Sequence, residues 1–281
     1  FNVALMSNIL FTCARDTLFE LLEDTKYLGA KPGIIATLQT WDKTLLLHPH
    51  IHCLVTGGGI MNGVWIAITN GFLLPFAVVR DLFRGKVCAA LKKAFEKGGL
   101  VLPEGMSPQR FKNLINKLGR KKWNVKICEK YLHGNGVLTY LARYLRGGPI
   151  GNRRIIKIED SEVTFNYGRE KPEYMTLPIV KFIARFLQHV PLPNAIMVRA
   201  YGIYAHSKKE ELEQCRNILG QGPVEEAEFL DWQSCFTESE DHPELCPVCG
   251  KRLICTGIIL PSKRLRRTGD PPQEVLYDKA A

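Results

Sequence analysis

Leu47-His48-Pro49-His50-Ile51-His52-Cys53-Leu54-Val55-Thr56-Gly57-Gly58-Gly59 is the stretch on which the reading of this chain turns. In an extended strand, side chains two apart share a face. His50 and His52 therefore project together, and Ile51 turns to the opposite, core-facing side. Two imidazoles side by side suit a divalent metal ion; an ordinary pair of strand histidines is the bland alternative. Pro49 cannot donate to a sheet ladder, so it marks a strand start. That leaves 42–48 as a loop holding His48, and predicts a strand over 50–56 that ends at the glycine triplet. Gly33 to Trp41 reads as the preceding strand, which lets Gln39 lie opposite His50 in an antiparallel pair. The Gln39 amide oxygen is then a candidate third ligand, with His48 as its competitor and a plain strand residue as the alternative.

Working outward, Leu5, Ile9, Leu10, Cys13, Leu18, Leu21 and Leu22 form an apolar stripe that predicts a helix over 3–24. Residues 60–68 read as a third strand, followed by an Asn70-Gly71 loop. A long amphipathic helix is expected over 76–97, and Ser107 caps another over 108–119. The basic run Gly119-Arg-Lys-Lys122 follows, with alternation over 123–128 reading as a strand. Gly134-Asn-Gly136 reads as a break before a helix over 137–146. A hairpin over 154–158 and 162–167, a helix over 178–190, a strand over 195–201 and a polar helix over 208–219 complete the pattern.

The second chemical feature is Tyr140-Leu-Ala-Arg-Tyr144. Residues four apart lie one above the other on a helix, so the two phenols share a face. A free tyrosine ionises near pH ~10 and is a weak nucleophile at neutral pH. Beside a phosphodiester whose charge is drawn off by a cation, the phenol becomes able to attack. Core packing is the alternative for such a pair. Arg143 and Arg146 flank it and suit phosphate contacts.

Together these features resemble the two-tyrosine HUH endonucleases. Leu47–Gly59, Tyr140–Tyr144 with Asn152-Arg-Arg-Ile155, Phe182-Ile-Ala-Arg-Phe-Leu-Gln-His189 and Arg199-Ala-Tyr-Gly202 all resemble segments of bacterial rolling-circle insertion-sequence transposases, the family of insertion sequence ninety-one. The similarity runs over about 10–210. It implies an α+β fold, an HUH-endonuclease-like central antiparallel sheet with helices packed on it. It also implies His50 and His52 as metal ligands and Tyr140 and Tyr144 as nucleophiles that hold a 5′ phosphate. Mg2+ or Mn2+ is the expected ion and single-stranded DNA at element ends the expected partner, with Lys121, Lys122, Arg143, Arg146, Arg153 and Arg154 as candidate DNA contacts. Family members begin with a Cys-rich zinc-binding domain and a further strand ahead of the first helix. The sequence does not begin with Met, and the expectation is a truncated form without either. A DNA-binding remnant without catalysis, or a plasmid replication initiator or relaxase with the same chemistry, are the alternative readings.

Charge supports a polyanion partner. The net charge is +10, and residues 81–160 alone carry 18 basic and 6 acidic side chains. Five cysteines (Cys13, Cys53, Cys88, Cys128 and Cys215) read as small buried hydrophobes. Cys246-Pro-Val-Cys249-Gly250 reads as half of a zinc knuckle, with Cys235, His242 and Cys255 as further candidate ligands for Zn2+. An odd cysteine total and no secretion signal favour a reducing cytoplasm. No apolar run approaches the ~18 residues that would cross a bilayer. The expected organisation is a catalytic domain over 1–206, an acidic linker and possible Cys-containing zinc module over 207–261, and a basic, Pro-rich, disordered tail over 262–281. Oligomeric state is open.

Overall fold

The computed structural model describes residues 2–69, 74–128, 131, 134–145, 147–168, 170–222, 244–246 and 249–254, with the strand backbone at 258–259 and 274–275. The chain divides into two compact units, Phe1–Gly222 and Pro223–Ala281. The first unit therefore includes the polar helix expected over 208–219.

The first unit is α+β and its sheets are antiparallel. Helix α1 (Val3–Leu22) leads into β1 (Lys31–Trp41), β2 (Leu47–Met61) and β3 (Val64–Ala67). Helices α2 (Phe76–Glu96), α3 (Pro108–Arg120) and α4 (Gly134–Leu145) follow. Strands β4 (Ile155–Glu159), β5 (Glu162–Asn166) and β6 (Tyr174–Pro178) precede α5 (Ile179–Leu187), β7 (Val198–Gly202) and α6 (Lys209–Ile218). The main sheet has the order β3-β2-β1-β7, and a second sheet the order β4-β5-β6.

Alternation along β1 and β2 decides which face is core. Ala36 and Leu38 pack with Leu10 and Phe11 of α1, and Ile51 and Cys53 join them from β2. Ile51 thus faces the core as its position between two histidines predicts. A second cluster joins α1, α2 and α3 through Ile9, Cys13, Val87, Leu91, Phe111 and Ile115. Under the second sheet, Phe165 and Leu45 are fully buried and pack with Leu177. Truncating a buried Phe of this kind costs about 3–5 kcal/mol.

Four expectations change. Strand β2 runs through the glycine triplet instead of ending there. A Cβ on Gly58 would lie 2.6 Å from the Trp65 ring, and one on Gly59 would lie 2.6 Å from the Lys31 carbonyl oxygen. The glycines permit close backbone approach inside the sheet, and the strand turns instead at Asn62-Gly63, both with positive φ. At its other end β2 begins at Leu47, so His48 lies in the strand and not in a loop. The ladder is irregular between Gln39 and Trp41, where the pairing jumps from His50 to Leu47, and Pro49 falls within that irregularity. Residues 123–128 form no strand and join no ladder among the described residues; Trp123 packs into the helical cluster instead. Helix α4 starts at Gly134, so the Gly-Asn-Gly run opens the helix and does not interrupt the chain ahead of it.

Of the scattered cysteines, Cys13, Cys88 and Cys215 are buried, Cys53 is half-buried and Cys128 is exposed, contrary to expectation for the last. Burial pushes the Cys53 thiol up to about 12, which keeps it a neutral packing group beside His52. Among the described residues no helix is long and apolar enough to cross a membrane.

Candidate active site and metal centre

The register puts Gln39 opposite His50 and Thr37 opposite His52. All four side chains therefore lie on the sheet face turned away from α1. Gln39 is only 6% exposed. It lines an open cleft of about 410 Å³ together with His48, His50, His52 and Tyr144, with Lys43 and Arg154 also on its wall. The imidazoles form a ladder along β2: His48 to His50 is 5.3 Å between ring centroids, and His50 to His52 is 4.9 Å.

The His50 ring is oriented by its own strand. Its Nδ1 lies 2.7 Å from the His48 carbonyl oxygen. A carbonyl can only accept, so Nδ1 carries the proton and the basic lone pair sits on Nε2. A ligating histidine ordinarily has its ring fixed in this way by its other nitrogen. Among the described residues no group of three His, Cys, Asp or Glu side chains is arranged to hold a metal ion. A site here must draw on a different donor, and the buried Gln39 amide is the one that faces the histidines. Two imidazoles and an amide oxygen suit a hard or intermediate divalent ion.

Helix α4 brings the tyrosines to the same face. The Tyr144 ring stacks on His52 with centroids 3.9 Å and planes 29° apart, and Tyr140 sits 4.6 Å from Tyr144 and 6.3 Å from His52. Tyr131 continues the series, 5.9 Å from Tyr140. Burial holds the Tyr140 phenol well above its usual range, and Cys53 and Tyr144 nearby push the same way. Unaided, that hydroxyl stays protonated.

The candidate DNA contacts separate. Arg154 donates from Nε to the Asn166 carbonyl (2.7 Å) and from Nη2 to the Lys43 carbonyl (2.8 Å), while forming part of the cleft wall. Arg153 is exposed, and Lys121 and Lys122 are exposed just beyond α3, away from the cleft lining. Arg143 is described only as part of the α4 backbone, and Arg146 lies outside the described residues. In the second unit, the Gly250 N–H donates to the Cys246 carbonyl (2.8 Å), beside a bridge between Leu245 and Arg252. Cys235, His242 and Cys255 lie outside the described residues.

Sequence reasoning missed the group that holds the 42–46 loop. Asp42 Oδ1 accepts from Thr44 N, Thr44 Oγ1 and Leu46 N. Burial raises its carboxyl, but these hydrogen bonds and His48 outweigh that and hold it below the ordinary range. Leu45 is fully buried with φ 63°. Its carbonyl accepts from His189 Nε2 (3.1 Å), whose Nδ1 meets the Thr40 hydroxyl (3.0 Å), and Arg185 donates to the Thr44 carbonyl (3.0 Å). The Asp-x-Thr spacing is a local turn signal; His189 gives none, because its partners are far away in the chain.

A family described as "Putative transposase" matches residues 33–211. The chain is 33% identical over 270 residues to the "Putative transposase y4qJ" of Sinorhizobium fredii, covering 91% of this chain and 68% of that protein. It is 25% identical over 265 residues to the transposase for insertion sequence element IS801 of Pseudomonas savastanoi pv. phaseolicola, covering 87% of this chain and 62% of that protein. The chain thus spans about two thirds of the length of these relatives. No solved structure matches.

Proposed function

The chain belongs to this transposase family, and from that premise we propose that it nicks and rejoins single-stranded DNA through a 5′-phosphotyrosine intermediate, as in rolling-circle transposition. The observation that carries the reading is the stack of Tyr144 on His52, with Tyr140 one helical turn away. Nucleophile candidates and metal-ligand candidates come from distant parts of the chain and meet on one sheet face.

His50, His52 and Gln39 would hold Mg2+ or Mn2+. A divalent ion held there would supply Lewis-acid stabilisation of a phosphoryl oxygen. The chain's own groups do the rest. One tyrosine Oη attacks phosphorus and gives up its proton. The P–O3′ bond breaks, the 3′ oxygen leaves and is protonated as a free hydroxyl, and the 5′ phosphate stays on the tyrosine. In the return step a 3′ hydroxyl attacks the phosphotyrosine, restoring a phosphodiester and releasing the phenol. A second tyrosine whose ring centroid lies 4.6 Å away lets one tyrosine hold a strand while the other remains free. Arg154 on the cleft wall favours an anionic substrate there, with Lys43 beside it in an ion pair with Glu173 (3.1 Å) and Asp42 on the same wall. In this reading the protein works in the cytoplasm, and Cys246 and Cys249 share a separate Zn2+, since thiolates select zinc.

Incubating the protein with a labelled single-stranded element-end oligonucleotide and Mg2+ tests the proposal. A covalent protein–DNA adduct that survives denaturation is expected, and no adduct under any divalent ion contradicts it.

A further inference from the structure

We propose that the exposed face of α3 docks on duplex DNA beside the nicked single strand, as a binding surface separate from the catalytic cleft; this rests on the DNA-transposase reading above. Residues 105–128 contain seven basic side chains and no acidic one. None of the seven forms an ion pair among the described residues, although pairs form elsewhere, as between Lys86 and Glu20. Asp81 feels Lys122, and Glu96 lines a hollow with Lys112 and Asn116, but the seven cations outnumber these carboxylates, so the surface keeps a net positive field that complements a phosphate backbone.

The helix is built to present that surface. Ser107 Oγ caps it by accepting from Arg110 N, and Phe111 and Ile115 anchor its inner side in the cluster with α1 and α2. The outer face is thereby fixed. Gln109, Asn113, Asn116 and Arg120 recur at three- and four-residue spacing and share one exposed stripe. Arg110 and Lys117 flank the stripe on one side and Lys112 on the other, all exposed. Amides along a central line with cations at the margins match a groove, where Asn and Gln reach base edges and flanking cations reach phosphates. Thirteen residues at 1.5 Å rise give a rod of roughly 20 Å, which the ~12 Å-wide major groove admits.

The aromatic side chains decide between duplex and single strand. Sites for unpaired strands offer aromatic rings on which bases stack. The cleft has such rings in Trp41, Tyr144 and Tyr167, and Tyr140 packs against Tyr144. The outer face of α3 has none: its one aromatic residue, Phe111, is buried. The molecule thus separates an aromatic cleft for an unpaired strand from an aromatic-free cationic helix for a paired one.

The test compares two labelled probes by fluorescence anisotropy: a single-stranded oligonucleotide, and the same strand extended by a hairpin stem of roughly one helical turn, ~10 base pairs. The triple variant Arg110→Gln, Lys112→Gln, Lys117→Gln removes surface charge alone, and its thermal unfolding should match the parent. The expected result is about a tenfold or greater loss of affinity for the stem probe. The slope of log K against log salt should fall by roughly 2–3 for that probe, with single-strand binding and adduct formation unchanged. An equal loss on both probes, or no loss on the stem probe, overturns the proposal. A parent protein that binds the stem probe but forms no adduct contradicts the nicking mechanism and leaves the α3 surface standing; one that binds neither probe overturns both.

Discussion

The Tyr144 ring lies stacked on the His52 imidazole, 3.9 Å between centroids, although 92 positions of sequence separate them. Helix α4 and strand β2 meet at this contact, and it ties the proposed nucleophiles to the proposed ligands.

The histidines should be needed for chemistry and dispensable for folding. His50→Ala with His52→Ala removes both imidazole donors from a strand whose core side, Ile51 and Cys53, is untouched. Strand cleavage is expected to fall to background while circular dichroism and the thermal midpoint stay near the parent values. Full cleavage by this variant in the presence of chelator would falsify the metal assignment.

His189 should matter to stability through two hydrogen bonds. It is 4% exposed, and its loss leaves the Leu45 carbonyl and the Thr40 hydroxyl without their partner. His189→Ala is expected to cost about 1–3 kcal/mol in denaturant unfolding. An unchanged midpoint would show that the 42–46 loop is held by Asp42, Arg154 and Arg185 alone.

Much of the site is legible in residue order because its parts are local. The period of a strand puts His50 and His52 on one face, and a short connection brings Gln39 opposite His50, as the register has it. What escapes sequence reasoning is non-local or irregular. An irregular ladder lets β2 start at Leu47 despite Pro49, so His48 joins the ladder of imidazoles. Gly58 and Gly59 read as a stop, but they are required by the closeness of Trp65 and Lys31. Strand β6 follows the hairpin without a clear turn signal; its pairing with β5 includes Thr164 Oγ1 against Thr176 Oγ1 at 2.8 Å. Residues 123–128 alternate like a strand, yet Trp123 is taken by the helical core.

Binding of single-stranded DNA should weaken steeply with salt. Neutralising several phosphates releases condensed counterions, at about 0.7 in log–log slope per contact on a single strand. Lys43, Arg143, Arg146, Arg153 and Arg154 lie outside residues 105–128, and five such contacts give a slope of roughly −3 between about 50 and 200 mM salt. A flat affinity across that range would contradict the electrostatic account.

Cys246 and Cys249 should hold zinc independently of the cleft. Protein purified under reducing conditions is expected to carry about one tightly bound zinc per chain. Cys246→Ser with Cys249→Ser should lose it without affecting Mn2+ binding at the histidines. Substoichiometric zinc in the parent argues against the site.

The central claim is that Tyr140 and Tyr144 are the nucleophiles, and mapping the covalent adduct on a suicide oligonucleotide by mass spectrometry tests it most directly. Phe keeps each ring and its stack and removes only the hydroxyl, so stability should change by no more than about 1 kcal/mol per substitution. The account predicts a DNA-linked peptide carrying Tyr140 or Tyr144, severe loss of strand transfer in each single Tyr→Phe variant, and no adduct in the double variant. An adduct that persists in the double variant, mapped to any other residue, would contradict it.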